Sequence, residues 1–272
     1  MAVDPEIWLD GQTVSGAQLK ALALSVPYGA VTSFAVHDGA VRGLDLHLKR
    51  LSQWAVDLFG EAVDPLSVQR DLANALGGRR EAWVRLSLYA PQLTPRAADW
   101  TGRPQVLMGL YPPVASLKDG QVLKTISHQR FEANFKHAGS FDLIRSRRVA
   151  LLAGADDAVF VDADGHITEG TLWNIGFMAG EVVVWPQAAM LDGVTQRLIR
   201  QGLSQQGIAQ RHQPIALNDL SQFDAAFICN SATPAASVAR IDDYRFSRGE
   251  EALSTVRAAW QSHPPHAIHR AP

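Results

Sequence analysis

Four short segments of this 272-residue chain carry side chains that could do chemistry together. Asn134-Phe135-Lys136-His137 sets a lysine just ahead of a helix pattern. A lysine amine that is partly desolvated, or close to other cations, gives up its proton near neutral pH and becomes a nucleophile able to form an imine. Thr168-Glu169-Gly170-Thr171 sets a glutamate between turn residues and the apolar run Leu172-Trp173-Asn174-Ile175-Gly176-Phe177, so the turn is expected to feed a buried strand. Leu191-Asp192-Gly193-Val194-Thr195 opens a helix with a glycine and a hydroxyl residue, and the unpaired N–H groups and positive dipole end of such a helix suit a dianion. Asn230-Ser231-Ala232-Thr233-Pro234 forms a hydroxyl-bearing loop after a strand. Glu169 follows Lys136 by 33 residues, Leu191 follows Glu169 by 22, and Thr233 follows Glu169 by 64. Each segment alone has a plainer reading: a surface lysine, a polar turn, an ordinary strand-to-helix turn.

The elements that must position these residues are legible from periodicity. In the first region, Ile7-Trp8-Leu9 meets the turn dipeptide Asp10-Gly11, and Val31 to Val36, Asp38-Gly39 and Ala40-Val41 read as a hairpin. Leu44, Leu48, Leu51, Ala55 and Leu58 recur at helical steps before Gly60. A second helix runs from Pro65 to the Gly77-Gly78 stop, and strands are expected at Ala82 to Tyr89 and Gln105 to Tyr111. Residues 1–113 are therefore read as a small α+β lobe, 114–120 as a connector stiffened by Pro112-Pro113, and 121–272 as a larger lobe. The larger lobe should hold a strand Val122 to Ser127, helices Phe141 to Ala153 and Gly193 to Gln206, turns at Asp164-Gly165 and Ala179-Gly180, and a strand Ala225 to Asn230. The stretch from Ser262 to Pro272, rich in Pro and His, is expected to be a loose tail.

Composition narrows the function classes. Lys+Arg 25 against Asp+Glu 27 gives a net charge of −2, and no basic block suited to a nucleic-acid backbone occurs. The single Cys229 excludes an intrachain disulfide framework and a thiolate metal cluster, fits a reducing compartment, and reads as a small hydrophobe in its strand. No signal-peptide pattern opens the chain and no long apolar run suited to a membrane occurs, so a cytoplasmic protein is expected. The cations are mostly arginine: the lysines are Lys20, Lys49, Lys118, Lys124 and Lys136, and none follows Lys136.

The order and spacing of the four segments resemble those of the class IV (fold-type IV) pyridoxal-phosphate-dependent aminotransferases, a family that includes D-amino-acid and branched-chain aminotransferases and aminodeoxychorismate lyase. Leu44-Asp45-Leu46-His47-Leu48-Lys49-Arg50-Leu51 is similar to the family's H-x-x-R-L helix. The resemblance implies a two-lobed α+β / α/β architecture like that of D-amino-acid aminotransferase, with pyridoxal 5'-phosphate in the cleft between lobes, and a homodimer. It implies that Lys136 forms the internal aldimine and shuttles the proton as general base and acid, while Glu169 keeps the pyridine nitrogen protonated so that the ring is an electron sink. Arg50, Thr195 and Thr233 would hold the phosphate, with Leu191 and Val194 also against the cofactor. Tyr28, Arg85 and Ala232 would face the substrate. The implied activity is transamination between an amino acid or amine and a keto acid. An aminodeoxychorismate-type lyase releasing pyruvate, and a diverged member without transaminase activity, stay open beside it.

Three departures from the family pattern bear on the substrate. Where transaminating members show a stretch like F-G-D-G-V-Y-E, this chain has Tyr28-Gly29-Ala30-Val31-Thr32-Ser33-Phe34, without the acids. After the strand Val84-Arg85-Leu86-Ser87-Leu88-Tyr89 it reads Ala90-Pro91, with no cation there, although Arg85 resembles an arginine of the branched-chain enzymes. Phe141 stands where those enzymes place a tyrosine on the cofactor hydroxyl, and its ring cannot donate that hydrogen bond. His47 and His137 read first as packing or solvated residues.

Overall fold

A computed structural model of the chain describes residues 5–23 and 28–268. Their contacts form two compact units, one of residues 5–23, 28–114, 135–139 and 265–268, the other of residues 115–134 and 140–264.

The first unit begins with β1 (Glu6–Leu9), β2 (Gln12–Thr13) and α1 (Gly16–Ala23), the last two unread in the sequence. It continues with β3 (Val31–Val36), β4 (Ala40–Arg42), α2 (Leu44–Phe59), α3 (Pro65–Leu76), β5 (Ala82–Tyr89) and β6 (Gln105–Tyr111). An antiparallel sheet of order β2-β1-β6-β5-β3 results. β5 alternates buried and half-buried residues along its whole length, as a strand with one face in the core must. The buried stripe of α2, Leu44, Leu48, Leu51, Ala55 and Phe59, matches the sequence periodicity but for Leu58, and Gly60 ends the helix in the left-handed conformation. α3 starts on Asp64, whose carboxylate accepts from the N–H groups of Leu66 and Ser67, with Pro65 in its first turn.

The second unit contains β7 (Gln121–Ser127), α4 (Phe141–Leu152), β8 (Asp157–Val161), β9 (Ile167–Gly170), β10 (Asn174–Ala179), β11 (Val182–Pro186), α5 (Val194–Gln205), β12 (Gln210–Gln213), β13 (Ala225–Asn230), β14 (Thr233–Ile241), β15 (Tyr244–Arg245) and α6 (Ser254–Gln261). Its sheet runs β12-β11-β10-β13-β14-β7-β8-β9, with β15 on β14. β13 shows why these strands read as continuous apolar runs: Ala226 and Ile228 join one core layer, while Ala225, Phe227 and Cys229 join the layer that α5 and α6 cover.

Two expectations change. The Asp38-Gly39 turn forms, but His37 and Ala40 make only an isolated bridge, and β4 pairs with β16 (Pro265–Ala267) instead of with β3. The stretch expected as a loose tail therefore carries that strand. Ile268 extends the pairing by donating its N–H to the Gly39 carbonyl at 3.0 Å, and residues 269–272 lie outside the described part.

Candidate active site

Lys136 is placed by its main chain. Val31 N–H donates to the Lys136 carbonyl at 2.8 Å, Ala138 N–H donates to the Gly29 carbonyl at 2.8 Å, and Ala30 bridges His137. This clip fastens 135–139 to the start of β3, in the first unit. Phe135 is buried beside Lys136 and meets the Trp54 ring of α2 at 6.1 Å. The Arg50 guanidinium lies 4.6 Å from the centre of the same indole, a cation–π contact.

Arg50 is tied down by Thr32, within the stretch that departs from the family pattern. Its Nη2 donates to Thr32 Oγ1 at 2.9 Å, and that oxygen is 2.6 Å from His47 Nδ1. The Thr32 hydroxyl, accepting from Arg50, thus joins that cation to the His47 ring through one oxygen. Burial pushes His47 well below the ordinary histidine range, and the charges of Arg50 and Lys136 push the same way. His47 is thus a packed, bonded core histidine, and Arg50 is no solvated helix cation, unlike exposed Lys49.

Arg85 stands on the half-buried face of β5, in register with Ser33 of β3 and Gly109 of β6. The Tyr111 ring lies over Gly109, so the one cation in this row is flanked by two small residues and an aromatic wall. Tyr28 packs edge-on against Phe59, and its hydroxyl donates to the Leu58 carbonyl at 3.4 Å.

In the second unit Glu169 belongs to strand β9 rather than to a turn, a correction to the sequence reading, and the bend begins after Gly170. The Trp173 indole lies directly on Gly170, where a Cβ would come within 2.3 Å of the ring, so the glycine after Glu169 is required by that packing. The bend is fixed by Asp157 at the head of β8, a carboxylate only 2% exposed. It accepts from Thr171 Oγ1 at 2.7 Å, Trp173 Nε1 at 3.0 Å and the Ala158 N–H at 2.8 Å.

The Glu169 carboxylate is clamped by Arg130 and approached by the Leu191 N–H at 3.3 and 3.4 Å. The Leu191 carbonyl accepts from Asn174 Nδ2 at 2.7 Å. Gly193 packs on Asn174 so closely that a Cβ there would meet Oδ1 at 2.1 Å. This chain of contacts leads from Glu169 to the head of α5, where Val194, Thr195 and Gln196 are all buried. Their backbone N–H groups find no acceptor among the described residues, and neither end of the Gln196 side-chain amide has a partner. Buried helix N–H groups left in this state are a socket for an anion. A phosphorylated pyridine with a protonatable nitrogen fits that socket and the buried carboxylate linked to it.

The loop after β13 is organised by Asn230, whose Oδ1 accepts from the Ala232 and Thr233 N–H groups at 2.9 and 2.8 Å. Its Nδ2 donates to the Leu172 carbonyl at 3.3 Å, tying the loop to the Glu169 bend. The Thr233 hydroxyl is buried and accepts from the Leu117 N–H at 2.9 Å, which leaves its own hydrogen to donate. The Ala232 carbonyl accepts from Ser116 Oγ at 2.7 Å, so both polar groups of its main chain are engaged. Phe141 is 79% exposed at the start of α4. The Cys229 thiol, pushed up to about 12 by burial, is inert core.

Among the described residues the structure thus joins Lys136 and Arg50 in one constellation, and Glu169, Leu191, Val194 and Thr195 in another, with Thr233 linked to the second through Asn230 and Leu172. Arg130 and Asp157 were missed. Arg130 sits in a polar loop without periodicity, whereas Asp157 had a signal, a carboxylate opening the fully apolar run Ala158-Val159-Phe160-Val161.

The family described as "Amino-transferase class IV" matches residues 29–241. A probable branched-chain-amino-acid aminotransferase of Aquifex aeolicus is 23% identical over 219 residues, 75% of this chain and 70% of the relative. The aminodeoxychorismate lyase of Bacillus subtilis is 25% identical over 263 residues, 89% of this chain and 87% of the relative. The PLP-bound form of a hypothetical aminotransferase from Mycobacterium tuberculosis superposes with a TM-score of 0.77 at 20% identity, covering 93% of this chain and 97% of that one.

Proposed function

The chain belongs to the class IV aminotransferases and is a pyridoxal-phosphate-dependent aminotransferase of fold type IV, and from that premise we propose which of its residues carry the reaction. When bound, pyridoxal phosphate supplies a carbonyl carbon that condenses with amines and a ring that draws electron density from the substrate carbon. Lys136 Nζ is the amine that holds the cofactor covalently and the base that takes and returns the substrate Cα proton. Glu169 holds a proton on the pyridine nitrogen. The N–H groups of Val194 and Thr195, the Thr233 hydroxyl and the Arg50 guanidinium hold the phosphate, and Leu191 fixes Glu169 through its main chain. Arg85, between Ser33 and Gly109, anchors a substrate carboxylate, with Tyr28 and Ala232 completing the substrate contacts.

The observation that carries this reading is the buried head of α5, with three N–H groups without acceptors, linked by hydrogen bonds and packing to a buried carboxylate. With pyridoxal phosphate added, the protein is expected to show the cofactor's visible absorbance band and, after borohydride reduction, a cofactor adduct on Lys136 by mass spectrometry. Lys136→Ala should lose the adduct and drop turnover by at least about 10²–10⁴-fold, and an adduct that persists in that variant overturns the assignment. The lyase relative supports a second reading, which is distinguished by pyruvate released from aminodeoxychorismate without a keto-acid acceptor.

A homodimer in the cytoplasm belongs to the same proposal. α4 presents Phe141, Ile144, Leu151 and Leu152 to solvent, and a second copy of the chain is the proposed cover of these apolar side chains. Sedimentation should give a dimer that Ile144→Glu dissociates. Among the described residues no helix is long and apolar enough to cross a membrane.

A further inference from the structure

The Glu169 carboxylate already has a cation on it. Arg130 Nε and Nη2 each lie 2.8 Å from Glu169 Oε1, and Nη2 also donates to the Ala133 carbonyl at 2.5 Å. The side chains of the pair are 11% and 7% exposed. The Leu191 N–H is shared between the two carboxylate oxygens at 3.3 and 3.4 Å, longer and weaker bonds than the two from Arg130, so the closest partner of this carboxylate is a positive charge. Taking two charges out of water is costly, and a well-packed apolar pair would serve stability as well. A buried arginine on this particular glutamate therefore points to what the glutamate does.

Resting on the reading that Glu169 holds the proton of the pyridine nitrogen, we propose that Arg130 is a positioning residue that limits the strength of that hold. It fixes the carboxylate through Oε1 and cancels part of its charge. A carboxylate with no other partner would keep the ring nitrogen protonated far into the alkaline range. One shared with a guanidinium releases that proton at lower pH, and above that pH the ring withdraws electrons less strongly from the substrate carbon. Arg130 thus sets the upper pH limit of the electron sink without touching substrate.

The test uses holoenzyme reconstituted with pyridoxal phosphate labelled with ¹⁵N at the ring nitrogen, and follows the ¹⁵N chemical shift against pH in the wild type and in Arg130→Met, Arg130→Gln, Arg130→Lys and Glu169→Gln. Arg130→Met should raise the midpoint of the ring-nitrogen titration by about one pH unit or more, the lower end of what a neighbouring charge ordinarily shifts. Arg130→Gln, which keeps a hydrogen bond but no charge, should move it the same way, and Arg130→Lys should restore it toward the wild type. In a Glu169→Gln background the Arg130→Met displacement should shrink to what direct repulsion supplies. A midpoint that neither uncharged variant raises, or a wild-type nitrogen that stays protonated throughout the stable pH range, overturns the proposal. Failure of the underlying reading looks different: Glu169→Gln itself would leave the ring-nitrogen titration unmoved.

Discussion

The two residues proposed for the chemistry, Lys136 and Glu169, are anchored at different points. Lys136 is fixed through its main chain, by the Val31 N–H on its carbonyl and the Ala138 N–H on Gly29. Glu169 is fixed through its side chain, by Arg130 on the carboxylate and by Asp157 on the bend that follows. The proposed chemistry asks for this difference. An amine that must release one partner and take up a proton needs a firm Cα and a side chain that can change bonds, whereas a carboxylate that must keep one proton in one place needs its oxygens held.

The contrast can be broken first on the glutamate side. Asp157→Ala leaves three donors in the core without an acceptor and should lower the unfolding free energy by about 2–4 kcal/mol in urea titrations. It should also weaken cofactor binding by more than an equally destabilising truncation of Phe160, and equal weakening would mean that Asp157 serves the core alone. On the lysine side, Ala138→Pro removes the N–H that donates to Gly29 and should cost only about 1 kcal/mol of stability. Turnover of the cofactor-loaded enzyme should nevertheless fall by up to about 10²-fold through misplacement of Lys136, and unchanged kcat would show that the clip does not set the lysine's position.

The smallest effect concerns pH. His47 is held below its ordinary value of 6.5 in the folded chain, so the unfolded chain takes up a proton that the folded one resists. This contribution to stability is complete above pH 6.5 and is lost as pH falls through and below it. His47→Gln lacks it, and its thermal midpoint should decline less steeply than the wild type's on acidification. Parallel declines would remove His47 from the pH response.

Most elements were legible in the sequence because each carried a local signal: the α2 stripe with its terminal glycine, the Asp64-Pro65 start of α3, and the period of β5. What local patterns do not encode is which distant segment an element meets. Asp38-Gly39 announced a turn correctly, yet the partner of β4 lies near the other end of the chain. The site shows the same division. Glu169 and Gly193-Val194-Thr195 stood out by residue type next to apolar runs, while Arg130 sat in a loop where one more arginine among many carried no information. Its place opposite Glu169 exists only once β7 and β9 flank β8. Phe141 marks the converse case, a position given weight by the family resemblance that the fold turns to solvent.

The pairing of β16 with β4 has a consequence for how the molecule is made. A strand at Pro265–Ala267 closes a sheet begun at Ala40–Arg42, so the unit that carries Arg50 and the Lys136 clip cannot be completed on the ribosome until nearly all the intervening chain has been synthesised. Contacts of such long sequence separation form late and slow the search for the native state. The second unit can collect its own strands meanwhile, and the edge of β4 waits for its partner.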